Sequence, residues 1–91
     1  MFPQSDYGNN QIVPRKNSLN RLRRQFGDRI RQLRLAANLT QEGLAEKANI
    51  SVDFLSLIER GRNSPSFQNL DKIASAFGLS VADLFKFGGG R

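Results

Sequence analysis

Apolar residues first fall into register at Leu19. Leu19, Leu22, Phe26, Ile30, Leu33 and Ala37 follow at steps of 3, 4, 4, 3 and 4, which marks one face of an α-helix. Most of the arginines between them lie on the other face. Gly27 falls inside this run and costs a helix up to ~1 kcal/mol relative to alanine, so the turns before Phe26 are expected to fray. Asn38 suits a left-handed stop. Thr40 is the next N-cap, and "TQEGLAEKA" follows with Leu44, Ala45 and Ala48 inward. The small Ala45 leaves room for another helix to approach. Asn49 stands where the chain must turn sharply, and asparagine tolerates positive φ. Ser51 caps the stretch up to Arg60, Gly61 stops it, and "RGRNSPS" reads as a loop. Ser66 caps a further helix with Phe67, Leu70, Ile73, Ala74 and Phe77 on one face and Gly78 as its stop. Ser80 and Asp83 have capping-box spacing and open a last short helix with Val81, Leu84 and Phe85.

No strand pattern and no internal repeat appears. The expected fold is all-α: five helices with short loops between about Ser18 and Phe87. Residues 18–25 form a basic extension of the first helix. Residues 1–17 are rich in Asn, Gln, Ser and Pro and read as a disordered tail, because so few apolar groups cannot offset the entropy of ordering. Residues 88–91, "GGGR", read as a flexible tail.

Composition narrows the function. With 91 residues, one domain is expected. Cysteine and histidine are both absent. Disulfides and thiolate chemistry are therefore excluded, as are the commonest general base and metal ligand. No metal or cofactor site is expected. No apolar run approaches the ~18–20 residues of a membrane span, and the N-terminus does not read as a secretory signal, so a cytoplasmic location is expected. The charge is uneven. Arg15, Lys16, Arg21, Arg23, Arg24, Arg29, Arg31 and Arg34 are opposed by one acid, Asp28, in the same stretch. Such an Arg-rich block attached to a compact domain fits phosphate contact. Arg15, Lys16, Arg21, Arg23 and Arg24 are expected to touch phosphates or lie in a minor groove, as basic arms do.

The segment from Ser51 to Gly61 is too short to be helical alone, since isolated helices below ~12–15 residues are marginal. A scaffold must hold it. At ~100° per residue, Phe54, Leu55 and Ile58 share one side. Val52, Asp53, Ser56, Leu57 and Arg60 share the other. This outward set mixes carboxylate, hydroxyl, guanidinium and apolar groups, the chemistry that distinguishes base edges. A short helix, a tight turn and then such a helix is the pattern of a helix-turn-helix.

At this point "TQEGLAEKANISVDFLSLIERGRNSPS" resembles the Cro/C1-type (XRE-like) helix-turn-helix family. The likeness runs from about Phe26 to Phe85. It rests on "R-x-x-R" in the first helix, "TQ-x-x-LA", "LSLIERG", "PS" and "AFGLS" taken together. The resemblance implies a compact lambda-repressor-like domain that binds operator DNA as a symmetric dimer. Matching positions make Gln41 a phosphate contact at the groove edge and Val52, Asp53 and Leu57 base-facing residues, with Ser56 between them. Ser51, Arg60 and Asn63 match backbone-contact positions. Arg34 and Glu59 match a partly buried ion pair. The family often carries Gln, Ser or basic residues where Val52, Asp53 and Leu57 stand. That departure points either to an unusual site or to another use of the face.

The leading expectation is a sequence-specific DNA-binding transcriptional regulator working as a homodimer on a palindrome. The dimer surface is expected at the last helix, with Leu84, Phe85 and Phe87. The alternative is an antitoxin or other protein-interaction module on the same fold, for which Phe85 and Phe87 would supply an apolar surface. An enzyme is disfavoured, because no nucleophile–base pair, phosphate loop or metal constellation occurs at recognisable spacing.

Overall fold

The computed structural model describes residues 16–87. Helix α1 runs over Lys16–Ala36, α2 over Gln41–Ala48, α3 over Val52–Glu59 and α4 over Phe67–Phe77; a 3-10 helix over Val81–Phe85 follows. The fifth expected helix is thus a 3-10 turn. Among the described residues there is no strand. The tail expectations for residues 1–15 and 88–91 lie outside the described residues, and α1 begins at Lys16, inside the expected tail.

Each later element starts on a side chain that satisfies an otherwise unpaired amide. Thr40 Oγ1 accepts from the Gly43 N–H at 2.9 Å, Ser51 Oγ from Phe54 at 3.0 Å, Ser66 Oγ from Asn69 at 3.1 Å and Ser80 Oγ from Asp83 at 3.2 Å. Such caps contribute ~1 kcal/mol each. Asp83 reciprocates by accepting from the Ser80 N–H and hydroxyl, and Lys86 Nζ lies 2.9 Å from its other oxygen. Hydrogen bonding to Lys86 and then to Ser80 holds the Asp83 carboxyl down at about 2. The helices stop where the backbone turns left-handed, at Asn38 (φ 61°), Asn49 (59°), Gly61 (72°) and Gly78 (70°). Asparagine and glycine bear that conformation with least strain.

All five elements contribute to one core: Phe26 and Ile30 from α1, Leu44, Ala45 and Ala48 from α2, Leu55 and Ile58 from α3, Leu70, Ile73 and Ala74 from α4, and Leu84. The crossing of α1 over the end of α3 depends on Gly27. A Cβ there would lie 2.3 Å from the Ile58 carbonyl oxygen and 2.7 Å from that of Glu59. The glycine is not a weak point in α1; it lets two backbones meet, and α1 continues unbroken through it.

Four expectations about the core change. Ala37 falls one residue past the end of α1 and is exposed. Leu19 and Leu22 keep 45% and 44% of their surface exposed, because α1, ~30 Å long at 1.5 Å per residue, extends past the shorter helices it covers. Phe67, placed by spacing on the inner face of α4, is 89% exposed. It is the first residue of the helix and lies about 90° of helical rotation from the Leu70–Ile73–Phe77 line at 100° per residue, so its ring clears the core edge.

Candidate nucleic-acid interface

Between α2 and α3 the chain makes a tight turn through Asn49. The Asn49 N–H bonds to the Glu46 carbonyl at 3.2 Å and the Ile50 N–H to the Ala45 carbonyl at 3.0 Å. This turn fixes the angle at which α3 leaves the body. On α3, Leu55, Ile58 and Glu59 are buried, while Asp53 is exposed and Ser56 and Leu57 are half-buried. Val52 is also half-buried and leans on the core, as does Phe54. Val52 therefore offers only part of its side chain outward, because the opening residue of α3 is still within reach of the body. Ser51 is exposed, but its hydroxyl is committed to capping α3.

The inner end of α3 is held by a three-part polar cluster. Arg34 Nε donates to Glu59 Oε2 at 2.7 Å and Arg34 Nη2 donates to Glu59 Oε1 at 3.1 Å. Arg34 Nη1 donates to the Leu39 carbonyl at 2.8 Å, tying in the α1–α2 turn. Gln41 Nε2 completes the cluster, donating to Glu59 Oε1 at 3.0 Å. Hydrogen bonding to Glu59 raises the Arg34 guanidinium above its ordinary value against the opposing effect of burial. The Gln41–Glu59 bond was not legible in the sequence, where the two residues are merely 18 positions apart. A side-chain amide carries two N–H bonds; one of Gln41's is spent on Glu59 and leaves the other for an outside acceptor.

The basic block divides by role. Arg29 donates to the Asp83 carbonyl through Nη2 at 2.8 Å and Nε at 3.3 Å, pinning α1 to the 3-10 helix. Arg34 is buried in its ion pair. Both fall in the basic run, but the Arg34 charge is paired with Glu59 and the Arg29 side chain is tied to the fold. Arg23 is half-buried and donates from Nε to Ser64 Oγ at 2.8 Å, whereas Arg21, Arg24 and Arg31 are exposed. Arg15 lies outside the described residues. Past α3, Arg60 is exposed, and Asn63 is exposed with its side-chain carbonyl accepting from the Ser64 N–H at 2.8 Å.

The expected dimer residues also separate. Leu84 is fully buried in the core, so its side chain has nothing to offer a partner; the 3-10 turn aims it inward. Phe85 is 41% exposed and its ring stands 5.0 Å from Phe26 and 6.0 Å from Phe87. With Leu19, Leu22, Pro65 and Leu70 it lines a shallow apolar groove.

Among the described residues no group of His, Cys, Asp and Glu has a metal-holding arrangement, and no helix is long and apolar enough to cross a membrane. The Helix-turn-helix family model matches residues 30–84. Control protein C.BamHI from Bacillus amyloliquefaciens is 39% identical over 69 residues, which is 75% of this chain and 85% of that protein. The immunity repressor protein of Bacillus phage phi105 is 46% identical over 56 residues, 62% of this chain but 39% of the repressor. Among solved structures, the restriction-modification controller protein C.AhdI from Aeromonas hydrophila superimposes with a TM-score of 0.67 at 33% identity, covering 76% of this chain and 98% of that one. The fold and the helix-turn-helix define a DNA-binding transcription regulator rather than an enzyme. The chain belongs to the Cro/C1-type (XRE-like) helix-turn-helix family.

Proposed function

We propose that this chain is a cytoplasmic regulator that reads a palindromic operator as a homodimer, with α3 in the major groove. The observation that carries the reading is the asymmetry of α3: Leu55, Ile58 and Glu59 are buried in the body while Asp53 is exposed and Ser56 and Leu57 are partly open. A helix fixed so firmly along one side presents the other in one register. In this reading Asp53 accepts from a cytosine amino group, Ser56 bonds a base edge, and Leu57 and the open part of Val52 touch apolar groups such as a thymine methyl. Gln41, with its free amide hydrogen and the amides of the first turn of α2, takes a phosphate at the groove edge. Ser51, Arg60, Asn63, Arg23 and Arg24 contact the backbone around it. Two copies would set their α3 helices about one turn of DNA apart, ~34 Å, joined through an isologous contact that includes Phe85 and Phe87.

The two kinds of contact separate by mutation. Gln41→Ala is expected to weaken binding to every duplex by a similar factor, since phosphate contacts carry no sequence information. Asp53→Ala is expected to change which base is preferred at one position of each half-site, where a good base contact is worth ~1–3 kcal/mol. Its affinity for random DNA should be unchanged or higher, because a negative charge has left the interface. Fluorescence titration against a panel of single-base duplex variants checks both. An unchanged panel for the Asp53 variant contradicts the role of α3. A chain that stays monomeric at high micromolar concentration, with and without DNA, contradicts the dimer.

A further inference from the structure

Five large apolar side chains are exposed among the described residues, and three of them, Leu19, Leu22 and Phe85, line one groove. Phe26, Pro65 and Leu70 complete its apolar walls. The groove is the open end of the core. Leu19 and Leu22 continue the stripe that Phe26 and Ile30 carry inward, and the Phe85 ring lies 5.0 Å from that of Phe26 on the far side. The polar rim is tied to itself, since Arg23 Nε donates to Ser64 Oγ at 2.8 Å. Single apolar residues on a surface are ordinary, whereas a contiguous patch marks a contact. The groove holds ≈ 150 Å³. An apolar cavity of about that volume takes a benzene-sized group, so the groove suits one branched or aromatic side chain rather than the face of a whole helix.

The chain itself brings such a side chain to the mouth of the groove. Helix α1 begins at Lys16, and residues 11–15 before it read "QIVPR". A proline disfavours helical backbone in the residue before it, so α1 is not continued through Val13. With the helix starting at Lys16, Pro14 and Leu19 have the spacing of a hydrophobic staple, the contact that fixes how a chain enters a helix. Leu19 lies ~4.5 Å and Leu22 ~9 Å along the axis from Lys16, at 1.5 Å per residue. An extended chain covers ~3.3 Å per residue. A segment that turns back at Pro14 therefore brings Val13 and Ile12 level with the two leucines. Successive side chains of such a segment face opposite ways, so one of the pair enters the groove, and isoleucine is the larger.

We propose that the groove is covered by the chain's own residues 11–14, with Ile12 seated among Leu19, Leu22 and Phe85. Phe85 also belongs to the isologous contact proposed above. The segment and a second copy then compete for one surface, and the cover sets how readily two copies join. That consequence rests on the homodimer reading; the cover itself does not.

The test is a mutant cycle in the full chain: wild type, Ile12→Asp, Leu22→Ala and the double variant, melted at several protein concentrations. Both sites lie outside the buried core, so the variants keep the fold, and circular dichroism checks that they do. At low concentration Ile12→Asp is expected to lower the melting temperature by about 4–8 °C, which is ~1 kcal/mol in a domain of this size. Beside Leu22→Ala the same change should cost much less, because groups in contact do not add. No shift overturns the cover. A shift that persists in full beside Leu22→Ala also overturns it, by placing Ile12 elsewhere. A shift that grows with protein concentration does so by assigning the groove to another copy. Sedimentation equilibrium reads the competition. Two covers displaced per dimer, at ~1 kcal/mol each, make dimerisation of Ile12→Asp about thirtyfold tighter than that of wild type. Equal dimerisation of the two overturns the competition. A chain that never self-associates ends the homodimer reading, and the melting cycle then decides the cover by itself.

Discussion

Gly27→Ala is expected to lower stability by about 2 kcal/mol, although alanine is the better helix former. The helix gains up to ~1 kcal/mol from losing a glycine in its interior. Against this, the added methyl would sit 2.3 Å from the Ile58 carbonyl oxygen and 2.7 Å from that of Glu59. Both are backbone atoms, so no side chain can swing aside, and α1 must shift off the end of α3. Over-packing of this kind costs ~1–3 kcal/mol, and the rigidity of the obstacle argues for the upper end. The net loss corresponds to a fall in melting temperature of roughly 8–16 °C for a domain of this size. Thermal unfolding followed by circular dichroism measures it. A variant as stable as wild type would mean that the crossing is looser than the structure shows.

Glu59→Ala is expected to cost about 3 kcal/mol. The glutamate is 7% exposed and accepts from Arg34 twice and from Gln41 once. Removing it strands the charge of Arg34, a residue that is itself only 9% exposed, and breaking a buried pair from one side costs ~3–5 kcal/mol. The lower end of that range applies because Arg34 keeps its bond to the Leu39 carbonyl. Replacing both charges, as Arg34→Met with Glu59→Leu, should restore most of the loss, since apolar substitutes for a whole buried pair are often neutral. Urea unfolding of the two single variants and the double variant checks this. Losses that simply add would mean that the two charges do not depend on each other. Glu59 also fixes the Gln41 amide, so a Glu59 variant that folds should bind all DNA sequences less well.

Much of this architecture is local, and local chemistry is what a sequence displays. The caps at Thr40, Ser51, Ser66 and Ser80 each lie next to an apolar run, and the left-handed stops use Asn and Gly, which few other residues replace. Helical spacing identified Leu44, Leu55, Ile58, Leu70, Ile73 and Leu84, all of them buried. What spacing cannot carry is how far one element extends beyond its neighbours, and so Leu19, Leu22 and Phe67 were placed inside. Nor can spacing show which residues meet across the fold. Gly27 reads as a flaw in α1 until α3 is laid against it. Arg29 reads as one more exposed cation until the Asp83 carbonyl is found beside it. The outward face of α3 was visible as a periodic pattern, whereas the groove joining Leu19 and Leu22 to Phe85 depends on two segments more than sixty residues apart.

The central claim is that α3 is held out to read bases. The most direct measurement is selection of bound duplexes from a fully randomised pool by the wild-type chain, followed by sequencing. The account predicts enrichment of two inverted half-sites whose centres lie about one helical turn apart, ~34 Å. Recovery of DNA with no preferred sequence, or of no DNA at all, would contradict it.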